Sequence, residues 1–133
     1  MANHRMRPVL VLAATLTVSG CFANIPEPDR NERIDAECKT VGAGYALWTS
    51  STVLPKSALA ADVLTEGDLD QLEQDAAIFK AIVQPYTGKE MQALKTAIVD
   101  TETAAHAGAT GGLYEAVEAT HAAWFEYDAF VCS

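Results

Sequence analysis

Apolar positions recur along the chain at alternating spacings of three and four, the pattern of a helix with one buried face. Ile34, Cys38, Val41, Tyr45 and Trp48 keep that spacing and predict a helix from about Arg30 to Trp48 or Thr49. Gly42 and Gly44 weaken its middle by about 1 kcal/mol each, and glycine there lets another helix approach closely. Thr49-Ser50-Ser51-Thr52, with Pro55 beyond, closes the segment. Ser57 is placed to cap a short helix reaching Leu64. Asp68 then predicts the start of a longer helix, with Gln71 completing a capping box. Its stripe is Leu69, Leu72, Ala76, Phe79 and Val83; Ile78 and Ile82 widen the apolar face toward a second neighbour, and Pro85 stops it. Thr87-Gly88-Lys89-Glu90 has the Thr-x-x-Glu form of a capping box and opens a third helix. Met91, Leu94, Ile98, Thr101 and Ala105 form its stripe, which fades at Ala107-Gly108. After Thr110-Gly111-Gly112 a fourth stripe follows: Leu113, Val117, Thr120, Trp124, Tyr127 and Val131. No segment sustains a period of two over β-branched residues, so no strand is expected. The expected fold class is all-α, a small antiparallel bundle of about four main helices.

The chain ahead of this pattern differs in kind. Residues 1–20 carry Arg5 and Arg7 and no acidic residue. The stretch from Pro8 to Val18 is apolar apart from Thr15 and Thr17. It is far shorter than the roughly 20 residues a membrane-spanning helix needs, and it suits a secretory signal. Val18-Ser19-Gly20-Cys21 ends the run: an aliphatic residue, two small ones that fit a narrow peptidase cleft, then cysteine. The motif resembles the lipobox of bacterial lipoproteins. The resemblance covers residues 1–21 and identifies a processing class, with no family for the rest of the chain.

That resemblance implies that residues 1–20 are a signal peptide and that the Cys21 thiol carries a diacylglycerol. It implies an exported protein held at the cell membrane or outer membrane. Two or three acyl chains anchor firmly, at about 0.8 kcal/mol per buried methylene. Phe22 is not the aspartate associated with inner-membrane retention in diderm lipoproteins. Residues 21–29, with Pro26 and Pro28, read as the lipidated cysteine and a stiff tether, and residues 30–133 as the bundle.

An exported setting also changes the reading of the other cysteines. With Cys21 acylated, Cys38 and Cys132 are an even pair, and a disulfide between them is expected. They are 94 residues apart. Closing a loop of that size stabilises by about 4–5 kcal/mol on the chain-entropy model. The spacing is not C-x-x-C, so neither a redox pair nor a zinc site is expected.

Charge narrows the partners. The 133 residues hold 9 Lys+Arg and 18 Asp+Glu, a net charge of −9. No basic face is available for a phosphate backbone, so nucleic acid is not an expected partner. The acids all fall beyond residue 21, in a body that anionic headgroups repel, and the lipid anchor supplies the attachment. Glu66, Asp68, Asp70, Glu73 and Asp75 read as caps and solvation of a helix start. Asp68-Leu69-Asp70 resembles a fragment of a calcium loop but lacks its glycine and terminal glutamate, and no metal site is expected.

Candidate chemistry is sparse. His121 has Tyr114 and Asp128 seven residues to either side on one flank. Seven residues span about 10.5 Å along a helix, too far for shared ligation, so His121 is expected to pack against Trp124 or Phe125. His106 ends the third helix and, when protonated, complements its dipole. Phe125 and Phe130 lie off the core stripe and are the candidate partner surface. Tyr45, Tyr114 and His121 are candidate contacts for a small apolar ligand or haem held between helices. Gly42-Ala43-Gly44 has no strand before it, and no nucleophile elbow, phosphate loop or H-E-x-x-H is present, so no catalytic residue is assigned. The leading expectation is a non-catalytic envelope lipoprotein whose acidic helical domain binds another envelope or surface protein. A narrower version is similar in plan to prophage-encoded superinfection-exclusion lipoproteins, which keep phage or its DNA out at the cell surface. The alternative is a carrier or sensor of a small apolar ligand or haem.

Overall fold

The computed structural model describes residues 30–57, 63–108 and 112–133. The signal segment, Cys21 and the tether lie outside the described residues, as do 58–62 of the expected Ser57–Leu64 helix and 109–111 of the glycine break. Among the described residues there are five helices: α1 Arg30–Thr49, α2 Leu54–Ser57, α3 Glu66–Val83, α4 Lys89–His106 and α5 Leu113–Val131. The four long ones follow the four predicted stripes, and none of the described residues forms a strand.

The helix ends correct two expectations. α1 stops at Thr49 with Pro55 beyond it, as expected, and Pro55 sits in the first turn of α2, where a missing N–H leaves no bond unmade. Ser57 is itself a residue of that turn and not the cap expected of it. The cap of α3 is Thr65, three residues before Asp68. The Asp68 N–H donates to Thr65 Oγ1 at 3.1 Å, and the Thr65 N–H donates to Asp68 Oδ2 at 3.0 Å. Asp68 is therefore the inner member of a capping box, and the starting turn lies one turn earlier because aspartate can serve there as glutamate does. Gln71 plays no part in the box and donates to Asp75 Oδ1 at 2.9 Å.

The Thr87–Glu90 box does not form. Gly88 is the N-cap of α4, with φ 116°, and no side chain caps the helix. Glycine takes this left-handed angle without strain and turns the chain out of α3 into α4 within five residues. Glu90 is then the second helical residue, one position too early for the reciprocal bond. Lys95 of α4 closes the turn, donating from Nζ to the Gln84 carbonyl at 3.1 Å and to that of Tyr86. Beyond α4, Gly108 at φ 64° ends the helix as the sequence suggests.

The long helices form an up-down-up-down bundle. α3 runs antiparallel to α4: Lys80 meets Glu102 at 2.6 Å, and Glu73 meets His106 at 2.9 Å. α4 runs antiparallel to α5, with Thr101 and Thr120 joined at 3.2 Å in the core. α1 closes the ring against α3 and α5, opposite α4. Gly44 faces Ile82, and Gly42 faces Trp124. The Cys38–Cys132 disulfide joins the first half of α1 to the residue after α5, with Cα atoms 5.8 Å apart, inside the range that geometry requires. The fold is thus an all-α bundle closed by one disulfide, as expected.

Its core contains Leu72, Ala76, Phe79 and Val83 from α3, Met91, Leu94 and Ile98 from α4, and Leu113, Val117 and Tyr127 from α5. Val41 and Trp48 complete it from α1. Thr101 and Thr120 are fully buried, and each hydroxyl also lies within bonding distance of the carbonyl four residues back, Ala97 at 3.0 Å and Ala116 at 2.9 Å, so their two protons serve two of these three contacts at a time. Small side chains with satisfied hydroxyls let α4 and α5 approach closely.

Candidate functional site

Two places on α1 gather the unusual side chains. The first is an aromatic seam between α1 and α5, centred on Tyr45. Its ring stacks on Trp124 at 4.6 Å and 17°, and meets His121 edge-on at 5.8 Å and Phe125 at 6.2 Å. Phe79 of α3 completes the group at 6.4 Å. The Tyr45 hydroxyl is 2.8 Å from His121 Nδ1, across 76 residues of sequence. Burial pushes the Tyr45 hydroxyl above the ordinary tyrosine range, so it stays a neutral O–H. The hydroxyl and the ring nitrogen form one hydrogen bond, whose donor is set by the imidazole tautomer.

Of the three proposed ligand contacts, the fold brings together Tyr45 and His121. Tyr114 stands 47% exposed, and no described hydrogen bond or ring contact joins it to either. The described partner of His121 is Tyr45, a residue of a different helix, and no described ring contact joins it to Trp124 or Phe125, the neighbours expected of it.

Farther along α5, Tyr127 is fully buried and donates to Glu37 Oε1 at 2.8 Å. Burial first, then the Glu37 carboxylate, hold its pKa well above the usual tyrosine value. His106 pairs with Glu73, so the histidine at the end of α4 links two helices in addition to facing its own carbonyl end. Asp68 is held below the ordinary carboxylate range, chiefly by the Thr65 backbone N–H and with help from Lys56. Phe125 and Phe130 are 62% and 75% exposed, so both are free to form a contact surface.

The second place is a cleft of about 350 Å³ between the end of α1 and the middle of α3. Trp48 and Phe79 form its apolar floor, with ring centroids 6.2 Å apart. Leu47 and Ile78, each more than half exposed, flank it, and Gln71 and Asp75 supply a polar wall. Trp48 is 2% exposed, and its indole Nε1 is buried with no hydrogen-bond partner among the described residues. Sequence reasoning placed Trp48 in the core and did not single out this cleft. The signals that pointed to it were Leu47 and Ile78, apolar residues set off the main stripes. Of the two residues that widen the α3 face, Ile82 does reach a second neighbour, packing on Gly44, whereas Ile78 faces the cleft.

Charge is unevenly divided along the bundle. Call the end holding the start of α1, the α3–α4 turn and the end of α5 the tether end. Among the described helices, the half nearer that end carries five basic and six acidic side chains. The far half carries nine acids, five of them from Glu66 to Asp75, against Lys56 and the Lys80 that pairs with Glu102. No group of three or more His, Cys, Asp or Glu residues suited to a metal ion occurs among the described residues. No described helix is long and apolar enough to cross a membrane. No family model, curated protein or solved structure matches the chain.

Proposed function

We propose that this protein is a lipid-anchored envelope lipoprotein whose acidic helical domain binds another envelope or surface protein. The observation that carries the reading is the succession of Arg5 and Arg7, the apolar run to Val18, and Val18-Ser19-Gly20-Cys21. The pairing of Cys38 with Cys132 agrees with an oxidising, exported location. Eight residues separate Cys21 from α1, enough for a reach of about 30 Å when extended. Anionic headgroups repel the acidic half, so the charge-balanced tether end faces the bilayer and the acidic end faces outward. Exposed Phe125 and Phe130 support a protein contact along α5. Exclusion of superinfecting phage is the narrower form of this proposal.

The test is fractionation of cells expressing the wild type and Cys21→Ser. The wild type is expected in the membrane fraction and the variant in the soluble exported fraction. An unchanged membrane fraction for the variant would overturn the anchor. Unaltered phage adsorption and plating on expressing cells would overturn only the narrower form.

A further inference from the structure

We infer that the outer groove between α4 and α5 is a docking site for a basic amphipathic helix of a partner protein. The inference rests on the protein-binding part of the proposed function and gives that contact a place and a chemistry.

α4 and α5 leave a channel along the outward side of their interface. Its middle encloses about 650 Å³ over Ala93, Ala97, Ala119, Ala122 and Ala123. A space of about 340 Å³ beside Phe130 continues it past Lys89 and Glu126 toward the tether end. Another of about 530 Å³ continues it past Asp100 and Ala119 to Ala107 and Gly112. No described residue of α1, α2 or α3 lines any part of it, and Ala93, Ala119 and Ala122 are exposed.

The shape selects a helix. A channel between helices of 18 and 19 residues is about 27 Å long, the length of about 18 helical residues. Its alanine floor lets a third helix approach to an axial distance of about 8 Å, the short end of helix packing. Such a helix lays a narrow apolar stripe along the floor, and Phe130, 75% exposed, covers the end of that stripe.

The rims select the charge. Glu90, Asp100, Glu115 and Glu126 line the channel, and Lys89 is the one cation among its described lining residues. None of those four carboxylates has a hydrogen bond or ion pair among the described residues. Where α4 faces α3 the pattern is the opposite: Glu102 pairs with Lys80, and Glu73 with His106. A second copy of the chain would set the rim acids against their like, and anionic headgroups repel them. The occupant therefore brings lysine or arginine along the edges of its apolar stripe.

The test uses the purified oxidised protein and two eighteen-residue synthetic peptides. One has a leucine–alanine stripe at helical spacing with lysine on both edges; the other has glutamate replacing lysine. Binding is followed by the fluorescence anisotropy of a dye on the peptide at physiological ionic strength. The lysine peptide is expected to bind and the glutamate peptide to fail. Asp100→Asn with Glu126→Gln is expected to weaken binding about tenfold, as loss of charge pairing does. Glu66→Gln with Asp70→Asn, which removes two acids from α3 outside the channel, is expected to leave it within about twofold. Ala122→Phe fills the channel from an exposed position, and is expected to weaken binding at least about tenfold while the far-UV circular dichroism stays unchanged. No binding of the lysine peptide, equal binding of the glutamate peptide, equal losses for the two charge pairs, binding undiminished by Ala122→Phe, or a dimer of the protein alone that Ala122→Phe dissociates would each overturn the inference. These outcomes are independent of the anchor. A partner crosslinked through Phe125 and not through Phe130 or Ala122 would overturn the channel while leaving the broader proposal standing.

Discussion

α4 buries six of its 18 residues, whereas α1, with 20 residues, buries only Val41, Gly44 and Trp48. α4 lies between α3 and α5 and meets α5 through the Thr101–Thr120 pair, with Ala97 beside Ala122 and Ala123, a compact interface of small side chains. α1 reaches its neighbours through Tyr45, Trp48 and Trp124, a single carboxylate on Tyr127, and a covalent bond. Both helices carry legible stripes, yet they are held by different means. A helix with little apolar area of its own gains little from burial alone, and here a crosslink with large aromatic rings replaces a broad apolar face.

The most severe way to break this comparison is to cut the crosslink. The Cys38→Ser, Cys132→Ser double variant is expected to lose about 2–5 kcal/mol of stability. Hydrogen exchange in the variant should accelerate first and most in α1, while α3, α4 and α5 keep their protection. Uniform acceleration across all four helices would show that α1 is as integral to the fold as α4.

A smaller effect sharpens the role of close approach. A Cβ on Gly44 would stand 3.0 Å from Ile82 Cγ2, with Ile82 Cδ1 at 3.3 Å and its Cβ at 3.5 Å. Gly44→Ala is expected to destabilise by about 1–2 kcal/mol, because overpacking exceeds the gain of about 1 kcal/mol in helix propensity. On Gly42 a Cβ would meet only Trp124 at 3.6 Å, an ordinary contact. Gly42→Ala is therefore expected to stabilise, by about 0.5–1 kcal/mol. Thermal or urea melts of the two variants should move in opposite directions; a shift of both the same way would contradict the geometry.

The smallest effect concerns the Tyr127–Glu37 tie. Tyr127 has a folded pKa above its unfolded value of about 10, so the native state keeps a proton that the unfolded state releases. This contribution is fully present below pH 10 and is lost as pH rises above it, with a slope of at most about 1.4 kcal/mol per pH unit. Tyr127→Phe is expected to flatten the alkaline loss of stability measured between pH 9 and 11. An identical alkaline slope in the variant would mean that the tyrosine is not the group responsible.

How much of this was legible depends on the range of the interaction. The bounds of α1 and α5 followed from stripes, since a 3.6-residue period is a local property. The cysteine pair was legible because Cys38 lay on a predicted stripe and Cys132 was the remaining partner. Helix starts were less so. Thr65 and Asp68 are both good caps, and the choice between them belonged to whichever gave the reciprocal bond. Thr87 and Glu90 had the right spacing, but Gly88 took the turn and shifted the start. The candidate contacts divided similarly: His121 was legible as a flank residue, whereas its bond to Tyr45 spans 76 residues, beyond the reach of any periodicity.

By itself the sequence determined the helical class, the four stripes, the pair of cysteines and the acidic balance, because each depends on residue type and near-neighbour spacing. Only the tertiary structure decided that α1 lies opposite α4, that Trp48 Nε1 is buried without a partner among the described residues, and that the acids collect at the end away from the tether. Those outcomes depend on which helix faces which. That choice follows from side-chain volume, close approach at Gly44 and the closure imposed by Cys38 and Cys132, acting together on residues far apart in the chain.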